Sequence, residues 1–312
     1  MKFKFNKWLM LGLASEILVA PNSAVMKHTL LGMNVPYFTF MRYFVVLILC
    51  SPALYRMLKQ KQLNTESAKD VVLSSIFLAL AILTFTYAIT MTEASYATIL
   101  GLAGPLFFIP LSIKIEKEKI NKRSVAGLSL AAAGAFTVVA LPIAVTQNGD
   151  LNINPFASLL LILNAIFWSL FIIFYKRSNE RGIAMNAIMG VNAFFNVVIF
   201  GILFCLTSYA ASGSINFSVT KEQIIAISFG SVLVTFFSRK WKVTVYEKLG
   251  SVSSSGLDYL GSFLSIIVSI IFLHEKLSVG IVIGGVLIIL GLYISEHHKF
   301  SHGKHGGAYK HH

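Results

Sequence analysis

The sequence predicts an all-α integral membrane protein of ten transmembrane helices with both termini in the cytoplasm. Three observations lead there. Only 12% of the 312 residues are charged and 56% are hydrophobic, with a mean hydropathy of +0.74. A soluble domain carries about 25% charged residues, because water must wet its surface. The apolar residues gather into runs long enough to cross a bilayer, and the basic residues fall almost entirely in alternate connections between those runs.

A helix needs about 20 mostly apolar residues to cross the hydrocarbon core. Ten stretches qualify: 8–27, 36–57, 71–91, 95–114, 123–145, 155–175, 185–210, 223–246, 250–273 and 279–296. They are continuous runs rather than alternating strands of about ten residues, which excludes a barrel. The basic start, Met1 to Lys7, resembles a signal n-region. The run behind it is long, ends at Lys27 and lacks a clear small-residue cleavage site, so it is expected to stay as the first span. The second span contains Arg42. The fourth contains Pro105 and Pro110, and the first contains Pro21; each removes a backbone hydrogen bond and frees a carbonyl one turn back. The fifth and tenth place Gly127, Ala131 and Ala135, and Gly280 and Gly284, at small-xxx-small spacing, which permits close helix contact. The eighth ends in a basic cluster, and the ninth carries a serine-rich face.

Cytoplasmic loops collect Lys and Arg. With the N-terminus inside, 22 of the 26 Lys and Arg residues fall on inside segments, including Arg56 to Lys69, Lys114 to Arg123 and Lys176 to Arg181. The outside receives only Lys27, Lys221 and Lys276. The net charge of +13 is therefore a topology signal. A nucleic-acid surface would gather its cations on one folded face, so no nucleic-acid partner is expected. Cys50 and Cys205 lie inside apolar runs and have no metal-ligand or disulfide pattern. No cofactor and no metal is expected.

The chain carries an internal repeat. Glu118-Lys119-Ile120 and Glu275-Lys276-Leu277 are 157 residues apart, and the same offset superposes Gly127 on Gly284, Gly134 on Gly291 and Thr98 on Ser255. Five spans then repeat as five. Because five is odd, the second copy enters from the opposite side, the inverted repeat common among alternating-access transporters. The expected organisation is a first repeat over 1–147, a second over 148–296 and a His-rich cytoplasmic tail over 297–312.

These residues resemble the drug/metabolite transporter superfamily, in its ten-span EamA-like branch. The resemblance rests on Ala20-Pro21-Asn22-Ser23 through Lys27, Tyr87 through Ala97, Gly104-Pro105-Leu106-Phe107, Glu118-Lys119-Ile120, Trp168-Ser169-Leu170 through Lys176, Leu249-Gly250-Ser251 and Glu275-Lys276-Leu277. Val19 stands where the family has a first-span Trp, and Gly261-Ser262 where it has an acidic-Pro pair. The resemblance implies amino acids, drugs or other metabolites as solutes, often exported. It also draws Asn22, Tyr87, Thr98 and Trp168 into the candidate binding set.

Charges inside a bilayer cost about 2.5–3.5 kcal/mol each on insertion scales, which makes them functional candidates. Glu16 lies mid-span with Ala20, Ser23 and Lys27 on its face at about 100° per residue. The small multidrug-resistance relatives also carry a first-span acid, which resemblance links to proton and substrate binding. A buried acid could exchange protons, or pair with a neighbouring helix. Arg42 could hold a carboxylate or phosphate, or pair with an acid. In the ninth span Ser251, Ser254, Ser255, Asp258, Ser262, Ser265 and Ser269 fall within roughly ±60° of one helix face, which lipid would not tolerate. That face lines a cavity or forms a packing seam. Arg239 and Lys242 share a face near the end of the eighth span, as an anion site at the inner mouth or a snorkelling cluster.

The function expected is a secondary transporter that moves a small metabolite, an amino acid or related organic solute, outward across the bacterial inner membrane. Alternating access would proceed around Glu16, Asn22, Ser23, Arg42, Tyr87, Thr98, Trp168, Arg239, Lys242, Ser254, Ser255, Asp258 and Ser262. Expected partners are the solute, membrane lipid and protons as a candidate coupling ion, with the chain a monomer or homodimer. No Gly-rich phosphate loop with its Lys appears, so ATP is not the driver. The alternatives are an intramembrane lipid-modifying enzyme, which needs clustered acids or His that this chain lacks, and a membrane scaffold or sensor.

Overall fold

The computed structural model describes residues 7–101, 104–116, 122–145, 154–215, 217–275 and 279–296, and among them every regular element is helical. In chain order these are α1 (Lys7–Val19), α2 (Asn22–Leu30), α3 (Val35–Lys59), α4 (Thr65–Met91), α5 (Ala94–Gly101), α6 (Gly104–Glu116), α7 (Lys122–Val145), α8 (Pro155–Glu180), α9 (Met185–Ser212), α10 (Lys221–Ser228), a π-helical segment (Phe229–Ser238), α11 (Arg239–Leu273) and α12 (Val279–Glu296).

Local chemistry explains the boundaries. Asn34 accepts the Tyr37 amide and Pro36 sits in the first turn of α3, where a missing N–H costs nothing. Asn64 and Ser67 form a reciprocal capping box on α4, and Thr220 and Gln223 form one on α10. Asn154 caps α8 with Pro155 following. Gly213, at φ 66°, ends α9 in the left-handed conformation that glycine adopts without penalty. Pro21 separates α1 from α2, as its missing N–H demands, yet Ala20 still donates to the Glu16 carbonyl and Val25 to the Pro21 carbonyl. The break is therefore a kink within one membrane-crossing unit.

Six stretches are long and apolar enough to cross a membrane: Lys7–Leu30, Val35–Lys59, Thr65–Met91, Pro155–Glu180, Met185–Ser212 and Lys221–Lys242. They match the predicted spans one, two, three, six, seven and eight. Shorter apolar helices, Val125–Val138, Gly261–Leu273 and Val282–Gly291, lie where spans five, nine and ten are predicted. The fourth predicted span carries α5 and α6, with residues 102–103 between them outside the described residues.

Spans eight and nine, predicted as separate helices, share the single helical element α11. A straight helix rises about 1.5 Å per residue and would put Lys242 and Gly261 roughly 28 Å apart. Both touch the side chain of Glu16. The chain therefore reverses between them, and the two limbs of α11 lie side by side against α1.

The dominant helix pairs are α7 with α12, α4 with α8, α3 with α9, and α1 with α11. The first pair is built on glycine. A Cβ at Gly134 would lie 2.7 Å from the Gly284 carbonyl, and one at Gly291 would press on the Gly127 carbonyl and the Ala131 amide. The close-contact seam thus uses Gly127, Ala131, Gly134, Gly284 and Gly291, with Ala135 only half-buried beside it. At the opposite pair, buried Asp70 on α4 receives Arg177 at 3.5 Å and Arg181 at 3.2 Å from the last turn of α8. These basic residues were predicted as topology signals; they also tie two helices together.

Candidate functional site

Four polar clusters stand inside this apolar bundle. The first is on α1. Glu16 is 3% exposed and its carboxylate lies 3.0 Å from the Lys242 ammonium. Its other side lies against the backbone of Gly261, where a Cβ would overlap the carboxylate. The preceding residue, Ser15, donates to the Ser238 carbonyl at 3.1 Å, and the two hydroxyls meet at 2.8 Å. Glu16 and Lys242, separate candidates in the sequence, form one ion pair. Glycine at 261, where the family resemblance expects an acidic residue, is what leaves room for the carboxylate.

The second cluster surrounds Arg42 on α3. Its Nε and Nη2 donate to Thr235 Oγ1 at 3.2 and 3.0 Å, and Nη1 points at Met26 Sδ at 3.5 Å. Thr235 donates its own proton to the Gly230 carbonyl at 2.7 Å, five residues back in the π-helical segment. Its lone pairs are thereby turned toward Arg42. A Cβ at Gly230 would come within 3.1 Å of Arg42 Cζ, so glycine lets the guanidinium lie flat on the helix. π-Helical turns recur at functional sites, mostly singly, whereas this segment runs for ten residues. Arg42 is half-buried.

The third cluster is Arg239 on α11, whose guanidinium carbon stands 5.9 Å from the Trp168 ring centre and 5.7 Å from that of Phe171. Both rings belong to α8, and Trp168 remains 38% exposed. Arg239 follows Thr235, the residue that holds Arg42, by four residues, about one helical turn.

The fourth joins Glu275 and Glu93, which lie beyond the helix ends, to Lys27 of α2 and the first turn of α5. Glu275 receives the Lys27 ammonium at 2.9 Å and the amides of Ala94 and Ser95 at 2.6 and 2.8 Å. Burial pushes the Glu275 carboxyl up. The Ser95 amide, the Lys27 ammonium and the Ala94 amide outweigh it, and the group rests below its ordinary value. Neighbouring Glu93 is raised, by burial first and then by the charge of Glu275, against the pull of Lys27. A carboxylate on the first amides of α5 is favoured by the helix dipole as well as by hydrogen bonds.

The remaining candidates are dispersed. Asn22 and Ser23 are half-buried in the first turn of α2, and Tyr87 is half-buried on α4. Thr98 returns its hydroxyl to the Ala94 carbonyl at 2.8 Å. On the predicted serine face, Ser262 is half-buried, while Ser265 and Ser269 are buried and Ser269 donates to the Ser265 carbonyl. That end of the face is a packing seam. Ser254, Ser255 and Asp258 sit on α11 in a stretch whose side chains lie outside the described residues, as does the His-rich tail. Thr235, Met26 and Gly230 escape the sequence reading, because an i→i−5 turn has no residue pattern of its own. Glu275 is visible in the sequence only as part of a repeat.

Comparison with known proteins gives this arrangement a context. The model of the EamA-like transporter family matches the chain twice, over residues 6–140 and 155–296. An uncharacterized transporter of Acidianus ambivalens is 27% identical over 248 residues, 77% of this chain and 87% of its own length. An uncharacterized transporter of Clostridium kluyveri is 24% identical over 212 residues, 67% of this chain and 65% of its own. A solved crystal structure superposes with a TM-score of 0.60 over 93% of this chain and 96% of its own at 15% identity, a likeness of fold alone.

Proposed function

From the premise that the chain belongs to the EamA-like transporter family and is a multi-pass membrane transporter, we propose that it is a secondary carrier of a small organic solute. The solute is an amino acid or related metabolite, moved outward across the plasma membrane. The carrying observation is the convergence of ionisable side chains from α1, α3 and α11 inside an apolar bundle, at a π-helical segment. Such groups are retained in a bilayer where they face a wet pathway.

The mechanism is alternating access by two inverted five-helix halves, 1–147 and 148–296, within ten spans. The pairing of helices supports this. In the predicted numbering these contacts join spans two and seven, five and ten, three and six, and span one with the π-helical segment and α11, which between them carry span eight. Exchanging each span with the one five places on maps that set onto itself. A carrier without an ATP-binding loop draws on the proton gradient or the solute's own gradient, and Glu16 is the group placed to respond to protons. Because the family is one of transporters, the enzyme alternative has no observation behind it.

The test is efflux from proteoliposomes loaded with a pool of amino acids and small metabolites. Wild-type protein should release at least one solute faster than empty vesicles, and Glu16→Gln should lose most of that rate. Equal efflux from wild-type and empty vesicles across the pool rejects the carrier reading.

A further inference from the structure

We infer that Arg42 and Arg239 together form the binding clamp for the solute's anionic group, so that the transported species carries a carboxylate or a comparable oxyanion. This deepens the carrier reading and rests on it. Among the described residues neither guanidinium has a carboxylate partner. Arg42 is met by one hydroxyl and one thioether, and Arg239 by two aromatic faces. The nearby acid on α1 is already engaged, since Glu16 pairs with Lys242. The pair Glu16–Lys242 is neutral as a unit, and among the described residues no carboxylate is bonded to either arginine.

A guanidinium has five N–H donors in a fixed fork. Thr235 occupies two of them on Arg42 and fixes the plane of the group without neutralising it. The Trp168 and Phe171 rings offer Arg239 π faces and no carboxylate, so they attract its charge without neutralising it. Thr235, which holds Arg42, and Arg239 are four residues apart on one helical run, so two like charges stand about a turn apart in an apolar interior and each opposes the other's burial. An oxyanion between them removes that repulsion and accepts bidentate hydrogen bonds, which is the geometry arginine serves better than lysine. The sequence points to an anion site made of Arg239 and Lys242. The structure divides that pair, giving Lys242 to Glu16 and Arg239 to the Trp168 and Phe171 rings.

The experiment uses the full-length protein in detergent and in proteoliposomes. Thermal shifts are read with a panel of mono- and dicarboxylates, amino acids and inorganic phosphate, each organic acid matched by its neutral amide. The expected result is stabilisation by at least one acid that its amide does not reproduce. Affinity should fall tenfold or more in Arg42→Gln and in Arg239→Gln, and less in Arg42→Lys. Gly230→Ala, which presses on Arg42 while leaving its charge, should weaken the same acid. Stabilisation by phosphate alone identifies phosphorylated solutes as the source of the oxyanion. A transported solute that is neutral or cationic, with its KM unchanged in the Arg42→Gln/Arg239→Gln double variant, overturns the clamp and leaves the carrier reading intact. Failure of all efflux in wild-type protein strikes the carrier reading instead. Size-exclusion profiles and ligand-free melting of each variant separate loss of binding from loss of fold.

Discussion

The carboxylate of Glu16 and the ammonium of Lys242 lie 3.0 Å apart and join the first predicted span to the eighth. Glu16 is buried, whereas Lys242 keeps 34% of its side chain exposed. Removing one member of a buried pair typically costs roughly 3–5 kcal/mol, since the other charge is left desolvated. Partial exposure of Lys242 places this pair at the lower end. Lys242→Met should therefore destabilise more than the Glu16→Gln/Lys242→Met double variant. A double-mutant cycle on melting in detergent measures the difference, and strictly additive effects would refute the coupling.

Gly261 makes the burial of that carboxylate sterically feasible. The added methyl of Gly261→Ala would overlap Glu16, and the neighbour cannot yield without breaking its bond to Lys242. Overpacking of this kind costs about 1–3 kcal/mol. The variant should lose transport, and pairing it with Glu16→Ala, which removes the obstructing atoms, should restore melting toward that of Glu16→Ala alone. Melting of the paired variant well below Glu16→Ala would place the clash elsewhere.

The cluster of Lys27, Glu93 and Glu275 gives stability two opposite responses to pH. Glu275 is held below its ordinary value, so its contribution is complete above that value and is lost as pH falls through the lower folded one. Glu93 is raised, so its ionised form opposes folding and acidification through the raised value relieves that penalty. Melting temperature should pass through a maximum near the ordinary carboxylate range. Glu275→Gln should remove the acid-side fall and Glu93→Gln the rise before it. Identical pH profiles in the wild type and both variants would contradict this account.

Much of the helical architecture was legible in the sequence, because bilayer thickness dictates the length of apolar runs. Six of the predicted spans reappear as full-length apolar helices, with boundaries set by caps such as Asn34, Asn64 and Asn154. The site was legible as a set of residues and not as a set of partners. Glu16, Arg42, Arg239 and Lys242 announce themselves as charges within or beside spans. Which cation meets Glu16 depends on how α11 folds back, and that is a tertiary property. Thr235 became the anchor of Arg42 through a π-helical turn that no local propensity marks. Glu275 found the amides of Ala94 and Ser95 across 180 residues of chain, a contact that repeat matching hints at without specifying.

The glycine seam between α7 and α12 offers the sharpest test of packing. A methyl at Gly134 would stand 2.7 Å from both the Gly284 carbonyl and the Ile288 amide, and backbone atoms cannot rotate aside as a side chain can. Helix association in a membrane depends on such close approach, because lipid supplies no hydrophobic drive between helices. Gly134→Ala should thus destabilise by about 1–3 kcal/mol, despite alanine's better helix propensity. At Gly101, the last residue of α5, an added Cβ meets nothing within 4 Å, so Gly101→Ala should be neutral or mildly stabilising. The two variants change the same atoms at different places, and melting in detergent compares them directly. Equal melting temperatures would mean that the seam between these helices opens at no cost, and that α7 and α12 are held together by something other than their glycines.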